Sequence, residues 1–248
     1  MIVFPAIDIK DGNCVRLYKG DFLKSTIFNK SPLKQALKFK QEGFRNIHIV
    51  DLDAALGKKS NQKIILEIIK KTKLNIQLGG GIRNLRQISF WIKNGVSKVV
   101  VGTMAIKKQA ELRKACKLYP GKIAVAMDVR NDFIAINGWI KQTKIRINKF
   151  IKQMENLDVS RIIYTDINRD GTKSGVNLKK IAKIVKITNI PIVISGGVSN
   201  LNDVINIKNS QIFDGVIIGK SIYDNSISLK RLKKWIFKNV KKKNYTLS

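Results

Sequence analysis

The 248 residues, 44% hydrophobic and 26% charged, can bury one large core, so a single domain over residues 1–248 is expected. No apolar run approaches the roughly 20 residues that a membrane-spanning helix needs. The opening MIVFPAIDIK also lacks the basic-then-apolar plan of a secretion signal, and together these point to a cytoplasmic protein with no membrane partner. The formal net charge of +31, from 48 Lys and Arg against 17 Asp and Glu, attracts polyanions, but the lysines recur along the whole chain without interleaved aromatics to stack bases. That pattern describes a solvated basic surface with some pull on an anionic small substrate, and no specific nucleic-acid partner.

In chain order, short β-branched runs alternate with longer amphipathic stretches. Strands are predicted over residues 2–8, 46–51, 75–78 and 98–101, with helices over 32–42, 62–72, 85–94 and 109–119 between and after them. The second half continues with strands over 123–128, 161–165, 191–195 and 215–218, and helices over 178–187 and 201–207. In 177–187 the residues Leu178, Ile181, Ile184, Val185 and Ile187 form an apolar stripe, while Lys179, Lys180, Lys183 and Lys186 face water. Eight strands alternating with helices in a chain near 250 residues indicate a (β/α)8 barrel. The closing run Lys241, Lys242, Lys243 opens an expected flexible tail over 241–248.

The chain also resembles itself. Gly79-Gly80-Gly81-Ile82 is echoed by Ser195-Gly196-Gly197-Val198, and Val101-Gly102-Thr103 by Ile218-Gly219-Lys220, with the same spacing from Gly80 to Gly102 as from Gly197 to Gly219. Asp8 is mirrored by Asp128 at nearly the same offset. Two related half-barrels follow, with two carboxylates on opposite sides of one mouth.

Working residues of such a barrel lie at the C-terminal ends of its strands. Asp8, Asp51, Asp128 and Thr165-Asp166, with Asp170 close behind, fall there, and the third, fourth, seventh and eighth strands end in glycine turns. Glycine lets backbone N–H groups approach a phosphate, and a following helix start adds a favourable dipole. Gly80, Gly81, Gly102 and Thr103 would hold one phosphate, and Gly196, Gly197, Gly219 and Lys220 or Ser221 another. A substrate with a phosphate at each end would then react between them, with one carboxylate as base and one as acid. Two cysteines, Cys14 and Cys116, and one histidine, His48, are too few for a metal centre or a disulfide framework. No metal and no cofactor are expected. Asp51 is as readily a helix cap as a functional group, and His48, Trp91 and Trp235 read as packing residues.

The segments Pro5-Ala6-Ile7-Asp8-Ile9 with Asp11-Gly12 and Val15-Arg16-Leu17, Val50-Asp51-Leu52-Asp53-Ala54-Ala55, Gly79-Gly80-Gly81-Ile82-Arg83, Ala126-Met127-Asp128-Val129-Arg130, Gly138-Trp139 and Thr165-Asp166-Ile167-Asn168-Arg169-Asp170-Gly171-Thr172 resemble the phosphoribosylformimino-aminoimidazole-carboxamide ribotide isomerases of histidine biosynthesis. The resemblance covers nearly the whole chain. It implies an Amadori rearrangement of a bisphosphorylated ribotide, with Asp8 as general base and Asp128 as proton donor to the ring oxygen; a monomer is expected. Asp170 competes for that acid role, and Thr165 supports it. It also implies that Arg16, Arg83, Trp139, Gly171 and the glycine turns bind substrate, Trp139 by stacking on the imidazole. The chemically analogous phosphoribosyl anthranilate is an alternative substrate. The sister cyclase of the same pathway shares the half-barrel symmetry but resembles this chain less, since it opens with a Pro-Cys-Leu-Asp-Val strand and carries a catalytic lysine, for which only Lys19 stands in a comparable place.

Overall fold

The computed structural model describes the backbone of residues 1–243 and the side chains of residues 1–236. Strand β1 (Ile2–Lys10) runs into an antiparallel hairpin of β2 (Asn13–Tyr18) and β3 (Asp21–Asn29) before helix α1 (Pro32–Gln41). Then come β4 (Asn46–Asp51), α2 (Leu52–Ala55), α3 (Gln62–Thr72), β5 (Asn75–Gly79), α4 (Leu85–Lys93), β6 (Lys98–Val101), α5 (Thr103–Lys107) and α6 (Gln109–Leu118). The second half repeats the plan: β7 (Ile123–Arg130) runs into the hairpin β8 (Phe133–Ile136) and β9 (Lys141–Arg146), followed by α7 (Ile147–Glu155) and β10 (Arg161–Asp166). It ends with α8 (Leu178–Val185), β11 (Ile192–Ser195), α9 (Leu201–Asn209), β12 (Gly215–Ile218), α10 (Lys220–Tyr223) and α11 (Leu229–Lys243).

The parallel strands pair in the order β1, β4, β5, β6, β7, β10, β11, β12, and β12 returns to β1. This is the closed (β/α)8 barrel expected from the sequence. Alternation along each strand divides the core in two. Phe4, Ala6, Val100, Ala124, Ile163, Val193 and Ile217 point inward and plug the lumen below the mouth. Ile7, Ile9, Ile47, Ile49, Ile76, Val99, Val101, Ile162 and Ile194 point outward against the helices. Each such fully buried aliphatic contributes about 1.5–3 kcal/mol relative to exposure. Helix entry is fixed by side-chain caps: Ser31, Asn84, Asn177 and Asn200 each accept from the backbone N–H three residues on, worth about 1 kcal/mol apiece.

Three expectations are corrected. The first and fifth strands continue past Asp8 and Asp128 to Lys10 and Arg130, because both feed a hairpin that pairs back on the strand's end. Helix α8 stops at Val185, so Ile187 lies beyond it and is exposed instead of completing the apolar stripe. Helix α11 keeps helical backbone through Lys241, Lys242 and Lys243, and the rest of the tail expected over 241–248, residues 244–248, lies outside the described residues. Trp91 is buried and Trp235 packs at the edge of the core, as expected of packing residues. Among the described residues no helix is long and apolar enough to cross a membrane.

Candidate active site

At the C-terminal mouth of the barrel lies a cavity of about 190 Å³ whose lining includes Asp8, Asp128, Thr165, Asp170, Arg83 and Trp139, together with Gly80, Gly81, Gly102 and Thr103. Beside it a smaller one of about 40 Å³ is lined by Arg16, Gly171, Gly196, Gly197, Gly219 and Lys220. Asp170 and Ser195 border both. The fold thus gathers the expected residues into two glycine-built pockets that adjoin at Asp170.

The two pockets are built alike. Gly102 and Gly219 cap α5 and α10 with nearly the same backbone, φ −106°, ψ −86° and φ −112°, ψ −98°. Gly81 (φ +68°) and Gly197 (φ +85°) each pass under the loop of the preceding strand, where a Cβ would lie 2.4 Å from the Ala54 carbonyl oxygen and 2.5 Å from that of Gly175. These glycines are therefore demanded first by chain-to-chain packing, whatever they also offer a phosphate. The matching contacts, and the Asn84 and Asn200 caps at equal distances beyond, make Gly80 equivalent to Gly196 and Gly81 to Gly197. The equal spacing counted from Gly197 hence reflects one extra residue in the second half.

The carboxylates sit in contrasting surroundings. Asp8 Oδ2 accepts a 2.6 Å hydrogen bond from Arg16 Nη1. Burial pushes its carboxyl above the ordinary range, and Arg16 pulls it back. Burial raises Asp128 too, but there the Thr165 hydroxyl and the Trp139 indole N–H donate to the carboxylate and favour its ionised form. Asp170 is pushed up to about 7, by burial first and then by the negative charge of Asp8, with Arg16 opposing and Asp128 adding. All three carboxyls are thus raised, and Asp170 is the one that feels the negative charge of both others.

Several expected binders do structural work in this structure. Arg16, besides Asp8, donates to the Ala6 carbonyl at 2.8 Å, and its guanidinium fills the space under Gly219, so it meets the smaller pocket from below. Arg83 is held by the carbonyls of Ala54, Gly81 and Ala55 and braces the loop over Gly81. Trp139, at φ +70°, lays its ring on Gly20 at the turn of the first hairpin, where any Cβ would overlap it. Thr103 Oγ1 accepts from the Asn137 backbone at 2.9 Å and so ties the second hairpin to the first glycine pocket. Lys220 Nζ donates to the Gly171 carbonyl at 2.7 Å across the smaller pocket. Lys19 is exposed at a hairpin turn, its ammonium over the Tyr18 ring, and does not line either cavity.

Asp51 resolves as a structural residue: it caps α2 through the Ala54 N–H, and it also accepts from the Ser60 hydroxyl, the Asn61 N–H and the Asn61 amide. His48 is buried as expected, yet its ring reaches the cavity wall, where it pairs with Gln77 Nε2 at 3.1 Å. Burial first, then Arg16, lowers its pKa to about 3, which keeps the imidazole neutral. The sequence reading missed Gln77, Phe22 and Asn137. The inward register of Gln77 beside His48 was the available sign for the first, and the unread hairpins hid the other two.

The family described as Histidine biosynthesis protein matches residues 2–228. A protein of Pelagibacter ubique is 45% identical over 235 residues, covering 94% of this chain and 98% of its own length. One of Clostridium botulinum is 43% identical over 243 residues, 98% of this chain and 100% of its own. One of Clostridium novyi is 45% identical over 231 residues, 93% of this chain and 97% of its own. All three are named 1-(5-phosphoribosyl)-5-((5-phosphoribosylamino)methylideneamino)imidazole-4-carboxamide isomerase.

Proposed function

The chain belongs to the histidine biosynthesis protein family, and from that premise we propose that it is an isomerase converting the bisphosphorylated ribotide named in its relatives, an N-linked aminoaldose, into the corresponding aminoketose. The observation that carries this reading is the arrangement of the mouth: two glycine pockets, suited to one phosphate each, adjoin at Asp170, with Asp8 and Asp128 on the wall of the larger.

The chemistry needs one acid and one base. Asp170, protonated up to about pH 7, donates to the ring oxygen of the ribose; the bond from that oxygen to C1 breaks as the nitrogen lone pair forms a C1–N double bond. Asp8, paired with Arg16, removes the proton from C2; the electrons of the C–H bond form a C1–C2 double bond while the C1–N π electrons return to the nitrogen, and the resulting enaminol takes up a proton at C1 and loses that of its hydroxyl to become the aminoketose. No oxidant enters or leaves. Asp128, whose carboxylate accepts from Thr165 and Trp139, takes the electrostatic side of the role that the sequence divided between it and Asp170. Arg83, Trp139, Gly171 and the glycine turns bind substrate, with the first pocket receiving one phosphate and the pocket of Gly196, Gly197, Gly219 and Lys220 the other. The enzyme works as a cytoplasmic monomer, which sedimentation would check.

A spectrophotometric assay with this ribotide, beside phosphoribosyl anthranilate and without added metal, tests the reading. Turnover of the ribotide alone supports it, and turnover of both adds a second substrate. Turnover of neither overturns it. Asp8→Asn should lower kcat by at least about a thousandfold while leaving fold and ribotide affinity in place, since the change removes a base and almost no volume.

A further inference from the structure

Tyr223 ends α10, the short helix that starts at the Gly219–Lys220 turn. Its hydroxyl donates to the Ala6 carbonyl at 2.8 Å. The same carbonyl accepts from Arg16 Nη2 at 2.8 Å, while Arg16 Nη1 donates to Asp8 at 2.6 Å. The tyrosine ring also lies under the guanidinium, 5.2 Å from Cζ to the ring centroid. That ring is itself fixed by Phe28 at 5.3 Å and Phe39 at 6.4 Å. Arg16 Nε is buried with no hydrogen-bond partner, so the Ala6 carbonyl, the Asp8 carboxylate and the Tyr223 ring set where the guanidinium stands. Burial pushes the Tyr223 hydroxyl up, which keeps it a donor.

We propose that Tyr223 is a positioning residue for Asp8, clamping Arg16 against the carboxylate by a ring beneath the guanidinium and a shared hydrogen bond to Ala6. The proposal rests on the role given to Asp8 above. It does not follow from that role, because Tyr223 lines neither cavity. The groups facing Asp8 are Arg16 and Cys14 from β2, Tyr223 from α10 and Asp170 from the loop after β10; His48 of β4 stands near Arg16, and Lys220 and Asp128 act on Asp170. Arg16 is the cation bonded to Asp8 and also favours the ionised form of Asp170. Loosening it moves both carboxyls in one direction, upward.

The test is an NMR titration of the aspartate carboxyls in the ligand-free protein, with Asp8 assigned by the signal lost in Asp8→Asn. Tyr223→Leu should raise the Asp8 titration by about one unit. In the isomerase assay it should lower kcat at neutral pH by about fivefold to tenfold with KM within about twofold, and move the pH optimum upward by about one unit. Tyr223→Phe keeps the ring and loses only the hydrogen bond, so its shifts should have the same sign and be about a third as large. A residue that merely packs would lower Tm and leave the titration in place, and that result overturns the proposal. Should Tyr223→Leu fail to fold, an unmoved Asp8 titration in Tyr223→Phe overturns it equally. If the wild-type protein does not turn over the ribotide, the reaction falls, while the titration still decides the clamp.

Discussion

The proton on Asp170 can be followed through a single variant. In the folded protein its carboxyl titrates at about 7, against an ordinary 3.8. Protonated acid is needed for ring opening, so kcat/KM of the wild type should fall above pH 7, and by pH 9, with roughly 1% of the acid left, it should stand about a hundredfold below its plateau. Asp170→Asn removes that limb. Its residual rate, lower by about 10² to 10⁴, should be flat from pH 7 to 9 in the same isomerase assay. Stability gives an independent reading. A carboxyl raised in the folded state binds more protons there than when unfolded, so wild-type stability falls as pH rises from about 4 to 7 and stays lowered above. The full shift corresponds to roughly 4 kcal/mol at about 1.4 kcal/mol per unit. Because Asp170 is only half-buried and water reaches it in the cavity, about 1–2 kcal/mol is expected. Asp170→Asn should therefore melt higher than wild type at pH 8 and match it at pH 4. A basic limb unchanged in Asp170→Asn, with no pH-dependent gap in Tm, refutes the assignment of the proton to Asp170.

The remaining predictions concern the frame and the field. Gly81→Ala and Gly197→Ala each force a Cβ to within 2.4 and 2.5 Å of a carbonyl oxygen at positive φ, and each should cost about 2–4 kcal/mol in urea denaturation. Equal losses at the two sites would express the half-barrel equivalence, whereas neutral substitutions would mean the two loops are not pinned as described. Asp51→Ala strips four donors of their acceptor and should destabilise by about 2–4 kcal/mol, while the folded fraction retains wild-type kcat. A folded variant with lost turnover would return Asp51 to the chemistry. With a formal charge of +31 and a doubly phosphorylated substrate, kcat/KM should fall as NaCl is raised from about 20 to 500 mM while kcat holds steady. A flat response would mean the lysines do not steer.

What the sequence disclosed and what it hid have physical reasons. Barrel strands buried on both faces read as continuous β-branched runs, so IHIV in β4 and IIYT in β10 announce themselves, and the helices between them carry a period that such runs lack. The hairpins do not. Strand β3 has only half-buried and exposed residues and β9 alternates exposed and half-buried residues without an apolar face, so their pairing is set by the strands they extend and not by their own pattern. Because they went unread, Asp8 and Asp128 looked like strand-end residues, and the positions of Phe22, Asn137 and Trp139 over the mouth could not be foreseen. Asp51 and Asp8 were indistinguishable as letters, each an aspartate at a strand end. What separates them is the company each keeps: one donor from α2 and three from the loop after it on Asp51, one arginine from β2 on Asp8. The doubled glycine turns were legible because a backbone that must pass within van der Waals contact of its neighbour tolerates one residue type only. Their use as phosphate pockets depends on a consequence of that constraint. The Cβ-free path that lets Gly81 and Gly197 slip beneath the preceding loops also brings them into the same pockets as the glycines that start α5 and α10, so the packing that closes each half-barrel shapes the pocket proposed to take a phosphate.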